Sequence, residues 1–207
     1  MASLIVNTIT SFPELRLSYN GRVYSYHSKE FNSHSKNLVP LFDKCLSESG
    51  ASLSEIEDVV VIVGPGSYTG IRVGISFVLG ISLSLNTNII PLNLFDVLDL
   101  AIDDNRTKQG VIFVDSNKSQ EWYYYKKNVS TKDIEIGVVS NYKFKHFDRS
   151  DTSLFYYDAS NVNSFEGVSF RKVDFSYKLI FDNIEKLGKG KQALEPLYIK
   201  KNVYSLK

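Results

Sequence analysis

The stretch DVVVIVGPGSYTGIRVG, Asp58 to Gly74, decides how the rest of the chain is read. Val59, Val60, Val61, Ile62 and Val63 are all β-branched, and such side chains favour a pleated surface over a helix. A run apolar on both faces is the mark of a strand buried in a parallel sheet, here over about 58–64. Gly64 and Gly66 permit backbone angles that other residues avoid, and Pro65 stiffens the turn between them. Ser67 or Thr69 stands where a helix cap is needed, and Thr69 to Leu85 reads as an apolar helix. Strand, glycine turn and helix make half of a parallel crossover, which places the chain in the α/β class. Amides at such a helix start suit an anion. The nucleotide fingerprints are absent, however: no lysine follows as in GxxxxGK[ST], and Gly70 comes one residue late for GxGxxG. The glycines favour a structural turn over a phosphate cradle.

Working outward, Leu4 to Val6 form a short apolar run, and Leu15, Leu17 and Tyr19 alternate with polar residues. Asn20-Gly21 is a two-residue hairpin signal before Val23, Tyr24 and Tyr26, so strands are expected at 3–7, 14–19 and 22–27. Leu38, Leu41, Phe42, Cys45 and Leu46 recur at helical spacing, and Gly50 marks the stop. Downstream, a strand at 88–92, a helix from Leu94 to Ile102, and strands at 110–116 and 122–125 follow. Residues 134–175 read as strands and loops, Ser176 to Leu187 as a helix, and PLYIKKNVY as the tail. The polar run Asp103, Asp104, Asn105, Arg106 suggests a division near 103–109, giving lobes 1–105 and 106–207.

Composition excludes some functions. The 207 residues are 43% hydrophobic and 23% charged, with net charge +1, so no basic stripe invites nucleic acid. Lys186, Lys189, Lys191, Lys200 and Lys201 read as solvated surface. One cysteine, Cys45, allows neither an internal disulfide nor a cysteine zinc site and fits a reducing cytosol. MASLIVNTITSF lacks the features of a signal peptide. Val73 to Phe95 carries no charge, but Asn86, Asn88 and Pro91 interrupt it before the roughly 20 apolar residues that a bilayer span needs. A cytoplasmic protein outside the membrane is expected.

The helix from Thr69 is unusual. Gly70 and Gly74 lie four apart, and Ser76, Gly80 and Ser84 make a second small-residue row. A helical glycine costs up to about 1 kcal/mol relative to alanine, so repeated use implies a backbone packed very close. Ile71, Val73, Val78, Leu79 and Leu83 make the helix apolar nearly all round. Pattern alone leaves two readings open: burial within its own domain, or one face on the sheet and the other on a partner helix.

GPGSYTGIRVG resembles GPGSFTGLRIG, the hallmark of the TsaB (YeaZ) family of bacterial subunits for threonylcarbamoyladenosine modification of tRNA. LIVNT is similar to that family's opening strand, and HSKNLVPLFDKCLSESG to its first helix. PLNLFDVLDLA resembles the segment after the hallmark, and EPLYIKK the closing PxYLR. The resemblance covers about the first 125 residues and then the tail. It implies an actin-like (ASKHA, ribonuclease H-like) fold of two small α/β lobes with a degenerate catalytic apparatus. It also implies a partner and scaffold role beside TsaD, the paralogue that transfers threonylcarbamoyl to adenosine. The TsaE ATPase would join a ternary complex, the chain alone would homodimerise through the same surface, and tRNA would be met only through the complex. The resemblance selects the second reading of the helix. The partner-facing residues it implies are Leu38, Leu41 and Phe42 on the first helix. On the second they are Tyr68, Gly70, Arg72, Val73, Gly74, Phe77, Gly80 and Ile81.

Departures from the family pattern bear on chemistry. TsaD-like proteins carry two metal-binding histidines four apart, and the matching positions here are Leu94 and Leu98, which cannot ligate a metal. His27, His34 and His146 have no ligand spacing, and His34 reads as a surface residue at a helix start. Actin-like ATPases use an early aspartate to organise a metal-bound water; here the strand ends Val6-Asn7-Thr8. No catalytic residue and no metal site are expected. Asn7, Thr8, Gly66 and Ser67, with Asp115 as the acid of the second lobe, remain candidates for an anion or nucleotide. ATP or ADP with magnesium is expected at most in the assembled complex. DSNKSQEWYY replaces the family's DARxxEVY, with Asn117 in the arginine position. Two competing functions are an active ATPase or sugar-kinase-like enzyme, resting on the glycine turn, Thr8 and Asp115, and a tRNA-binding module, which near-neutral charge disfavours.

Overall fold

The computed structural model describes residues 2–31, 33–85, 87–102, 109–115, 121–128, 130–140, 152–157, 169–188, 194–199 and 204–206. Strands β1 (Ala2–Asn7), β2 (Glu14–Tyr19) and β3 (Arg22–His27) form an antiparallel meander. The β2–β3 turn places Asn20 and Gly21 at φ 49° and 73°, the two positive angles that a twisted two-residue hairpin requires. Helix α1 (His34–Ser49) ends at Gly50, left-handed at φ 72°, whose N–H donates to the Leu46 carbonyl. Strand β4 (Ile56–Ile62) then pairs parallel to β1. Helix α2 (Tyr68–Leu85) crosses to β5 (Asn88–Leu92), parallel to β4. The sheet order is β3-β2-β1-β4-β5. Its core is the β-branched run Val59 to Ile62 with Leu4, Val6, Leu15 and Leu17, all fully buried, each contributing about 1.5–3 kcal/mol. Helix α1 packs on β2 and β3, and α2 on β4.

After α3 (Leu94–Leu100) come β6 (Gln109–Asp115), β7 (Glu121–Asn128), β8 (Ile134–Ser140), β9 (Thr152–Tyr157) and β10 (Arg171–Lys172). With β11 (Tyr204–Leu206) they form a second sheet, order β10-β9-β6-β7-β8-β11. β6, β7 and β8 are antiparallel, β9 runs parallel to β6, and β10 parallel to β9. The plan of the first sheet is thus repeated: β6 stands for β1, β7 and β8 for β2 and β3, β9 and β10 for β4 and β5. This is the two-lobed actin-like α/β plan that the sequence leads one to expect. The connections differ. Residues 28–55 link β3 to β4 and carry α1, whereas only 141–151 link β8 to β9. Val111, Trp122, Tyr124, Val139 and Leu154 form the core of the second sheet.

The chain forms two compact units, Met1–Leu94 with Tyr177–Tyr198, and Phe95–Ser176 with Ile199–Lys207. The lobes 1–105 and 106–207 expected from sequence differ from this in two ways. Most of α3 belongs to the second unit, because Phe95 stacks on Tyr125 at 5.3 Å and Asp99 pairs with Lys127. The returning segment, with helices α4 (Tyr177–Asp182) and α5 (Ile184–Gly188), belongs to the first. There Leu197 N–H donates to the Val63 carbonyl at 2.8 Å. The single helix expected over 176–187 is two, broken at Asn183. The polar run 103–106 and Asn117, His146, Lys189, Lys191, Lys200 and Lys201 lie outside the described residues.

Among the described residues, one helix, Tyr68–Leu85, is long and apolar enough to cross a bilayer by length and composition. It connects two neighbouring parallel strands of one sheet, and a helix in that position returns to its sheet rather than leaving it.

Candidate functional site

The turn after β4 is held from three sides. Gly64, at φ 123°, accepts from Leu94 N–H at 2.7 Å, and a Cβ at this glycine would stand 2.6 Å from the Leu197 carbonyl oxygen. The Gly64–Pro65 peptide is cis. Ser67 N–H donates to the Ile9 carbonyl at 2.7 Å. Ser67 also caps α2, its Oγ accepting from Gly70 N–H at 3.1 Å while its carbonyl accepts from Ile71 N–H. A Cβ at Gly66 would sit 2.5 Å from the Ile9 oxygen. The amides of Ser67, Gly70 and Ile71 are therefore committed to the protein's own acceptors, and loop 8–10 occupies the ground over the turn.

The close approach implied by the helical glycines is internal on one side of α2. A Cβ at Gly70 would lie 1.9 Å from the Thr8 carbonyl oxygen, and one at Gly74 2.3 Å from Thr8 Oγ1. Both are buried, as are Ile71, Ile75, Val78 and Ile81. Of the implied partner-facing residues, Gly70, Gly74 and Ile81 thus look inward. His34 is buried rather than on the surface; its Nε2–H donates to the Thr10 carbonyl at 2.7 Å. Leu38 and Phe42 are also buried, Phe42 meeting Phe77 edge to face at 5.3 Å.

The opposite side of α2 is open. Tyr68 is 53% exposed, Leu79 42% and Leu83 88%, and on α1 Val39 is 53% exposed. Gly80 has no neighbour within 4 Å of where a Cβ would stand. Leu38, Val39, Val73 and Phe77, with Ser35, Arg72 and Ser76, line a cleft of about 400 Å³ between the two helices; Leu41 of α1 is half-buried and is not among its lining residues. At its end the Tyr68 ring stacks on Tyr198 at 4.7 Å. Arg72 Nε–H donates to the Tyr198 hydroxyl at 3.0 Å, with the guanidinium 4.1 Å over the Tyr68 ring. Nothing local in the sequence pairs these tail and helix residues, although GPGSYTGIRVG and EPLYIKK, two of the motifs that carry the family resemblance, meet here.

The remaining candidates lie at strand ends. Asn7 ends β1 and is 3% exposed. Its Oδ1 accepts from Ile9 N–H at 3.3 Å and its Nδ2 donates to the Tyr177 hydroxyl at 2.9 Å. That hydroxyl donates to Glu14, which also pairs with Arg16 at 3.7 Å, and the Arg16 guanidinium lies 4.6 Å over the Tyr177 ring. Burial, and then Glu14 beside it, push the Tyr177 hydroxyl far above its ordinary pKa. Thr8 Oγ1 is buried against Gly74 without a hydrogen-bond partner in the described structure. A magnesium nucleotide of the actin-like ATPases needs an acid at the end of β1. Here an amide stands there with both of its polar atoms engaged, and the carboxylate opposite it in the ladder, Glu14, is taken by a phenol and an arginine. These residues do not fit that group. Asp115 ends β6 as Asn7 ends β1, opposite Trp122 in the ladder as Asn7 is opposite Glu14. Leu94 and Leu98 are buried apolar side chains.

A two-lobed α/β chain with this turn matches the family model described as TsaD: tRNA N6-adenosine threonylcarbamoyltransferase, over residues 28–147. Among curated proteins, the tRNA threonylcarbamoyladenosine biosynthesis protein TsaB of Haemophilus influenzae is 26% identical over 121 residues, 58% of this chain and 51% of that protein. TsaB of Buchnera aphidicola subsp. Baizongia pistaciae is 28% identical over 128 residues, 60% of this chain and 58% of that one. The chain therefore spans about half the length of the curated relatives it matches. The solved structure of YeaZ from Pseudomonas aeruginosa has the same fold, with TM-score 0.69, 19% identity and coverage of 96% of this chain and 99% of that one. The chain belongs to this family, in its TsaB (YeaZ) branch.

Proposed function

We propose that this protein is a partner subunit, without catalysis of its own, in the bacterial machinery that makes threonylcarbamoyladenosine on tRNA, and that it pairs with and stabilises a TsaD-type subunit. The observation that carries the reading is the open side of α2 with its cleft against α1. Val39, Val73, Phe77, Leu79 and Leu83 present apolar surface there, and Ser76, Gly80 and Ser84 let another helix come close. Apolar surface of this kind on one face marks a protein contact, and small residues at a crossing allow backbone approach. Within this reading the pairing face comprises Leu41, Tyr68, Arg72, Val73, Phe77 and Gly80, backed by Leu38 and Phe42, while Gly70, Gly74 and Ile81 support it from within. The same face brings two copies together when the chain is alone, a TsaE-type ATPase joins the assembled pair, and the setting is the cytoplasm.

Size-exclusion chromatography with light scattering tests this, on the chain alone and mixed with a TsaD subunit from the same source. A new heteromeric peak is expected, and its loss in Leu83→Asp with the fold intact by circular dichroism. Two unshifted peaks at concentrations well above micromolar would remove the reading.

A further inference from the structure

Asn7 and Tyr177 lie 170 positions apart in the chain and meet with Glu14 and Arg16 in one half-buried polar cluster, in which Asn7 is the buried member. A phenol hydroxyl has one proton to give and lone pairs to receive. Here the proton goes to the Glu14 carboxylate, so the hydroxyl needs a donor from its other side, and Asn7 Nδ2 supplies it. We propose that Asn7 and Tyr177 are a matched pair that seals the end of β1 against cations and fastens α4 to the first sheet. The amide at position 7 is then a requirement of this fold variant rather than a loss.

The direction of the hydrogen bonds fixes the choice. An aspartate at position 7 offers only acceptors when ionised, so it cannot donate to the hydroxyl. It would also set a second carboxylate beside Glu14 around a single proton, an arrangement that raises the cost of ionising either one. Arg16 already offsets the charge of Glu14 at 3.7 Å and covers the Tyr177 ring. The cluster is neutral in sum and internally satisfied at Asn7, Tyr177 and Glu14, which leaves no uncompensated carboxylate to draw a divalent ion. Tyr177 acts here as a positioning residue, since it opens the segment that returns to the first unit.

The test is a double-mutant cycle on the full chain, read by thermal unfolding with and without magnesium chloride and ADP. Asn7→Ala and Tyr177→Phe are each expected to lower the melting temperature by about 2–4 °C, as loss of one hydrogen bond does in a chain of this size. The double variant is expected to fall by no more than about 1 °C beyond the worse single, because both changes break the same link. Asn7→Asp is expected to be worse than Asn7→Ala, and magnesium with ADP to leave the wild-type midpoint unmoved. Additive single effects, or an Asn7→Asp variant as stable as wild type, would overturn the proposal. So would a magnesium- and ADP-dependent rise in the wild type that Asn7→Ala abolishes. If Asn7→Asp does not fold, that agrees with the proposal, and the Ala/Phe cycle and the magnesium titration still decide it.

Discussion

Glycine at three positions of one helix has three different consequences. A methyl at Gly70 would run into the Thr8 backbone at 1.9 Å and one at Gly74 into Thr8 Oγ1 at 2.3 Å, whereas Gly80 faces open space. Gly70→Ala is therefore expected to destabilise by about 3 kcal/mol and Gly74→Ala by about 1–3 kcal/mol, through overpacking. Gly80→Ala is expected to stabilise by about 0.5–1 kcal/mol, as removal of an unneeded helical glycine does; urea denaturation of the three variants measures all of this. Tyr177 gives a pH signature. Its folded pKa lies above the ordinary 10.0, raised by burial and Glu14 and only partly offset by Asn7 and Arg16. The neutral phenol is thus preferred in the folded chain. Its contribution is fully present below about pH 10 and is lost as pH rises through the folded value. Stability is expected to fall above about pH 10, and less steeply in Tyr177→Phe, by urea midpoints between pH 8 and 11.

At the scale of elements, the outward side of α2 is the place to perturb assembly without touching the fold. Gly80→Leu and Leu83→Asp are expected to weaken pairing with a TsaD-type subunit tenfold or more, while neither lowers the stability measured in urea by more than about 0.5 kcal/mol. Analytical ultracentrifugation with denaturation reads both. The strands of the first sheet were legible in the sequence from local signals such as the Asn20-Gly21 turn, the alternation Leu15-Leu17-Tyr19 and the run Val59 to Val63, whereas β8 to β11 were not placed. Nor was the phase of α2 legible. With Ile71 and Val78 on one side and Leu79 and Leu83 on the other, nothing in the pattern says which row of small residues meets the sheet, and the structure turns Gly70 and Gly74 inward. Tyr177 escaped notice for a different reason: its partners are remote in sequence, and a lone tyrosine at a helix start carries no local mark.

For the molecule as a whole, two lobes of the same plan followed from the family resemblance, but the closing of the first unit by Tyr177–Tyr198 did not. A chain ending at Ser176 keeps all five strands of the first sheet and both of its crossover helices. It loses the Tyr177 link to Asn7 and Glu14, the Leu197 bond to Val63, and the stacking of Tyr198 on Tyr68. It is expected to melt well below the full chain, with a calorimetric transition broadened or lost for the first unit. Equal melting would show that the returning segment is only draped on the surface.

The same return sets an order of events at the ribosome. Translation at about 5–20 residues per second leaves roughly 5–20 s between emergence of Leu94 and of Tyr198. Through that interval Asn7 and the Val63 carbonyl lack the partners that Tyr177 and Leu197 supply in the folded chain. Quality control by proteases and chaperones thus meets a first lobe whose clasp is made about a hundred residues after its sheet.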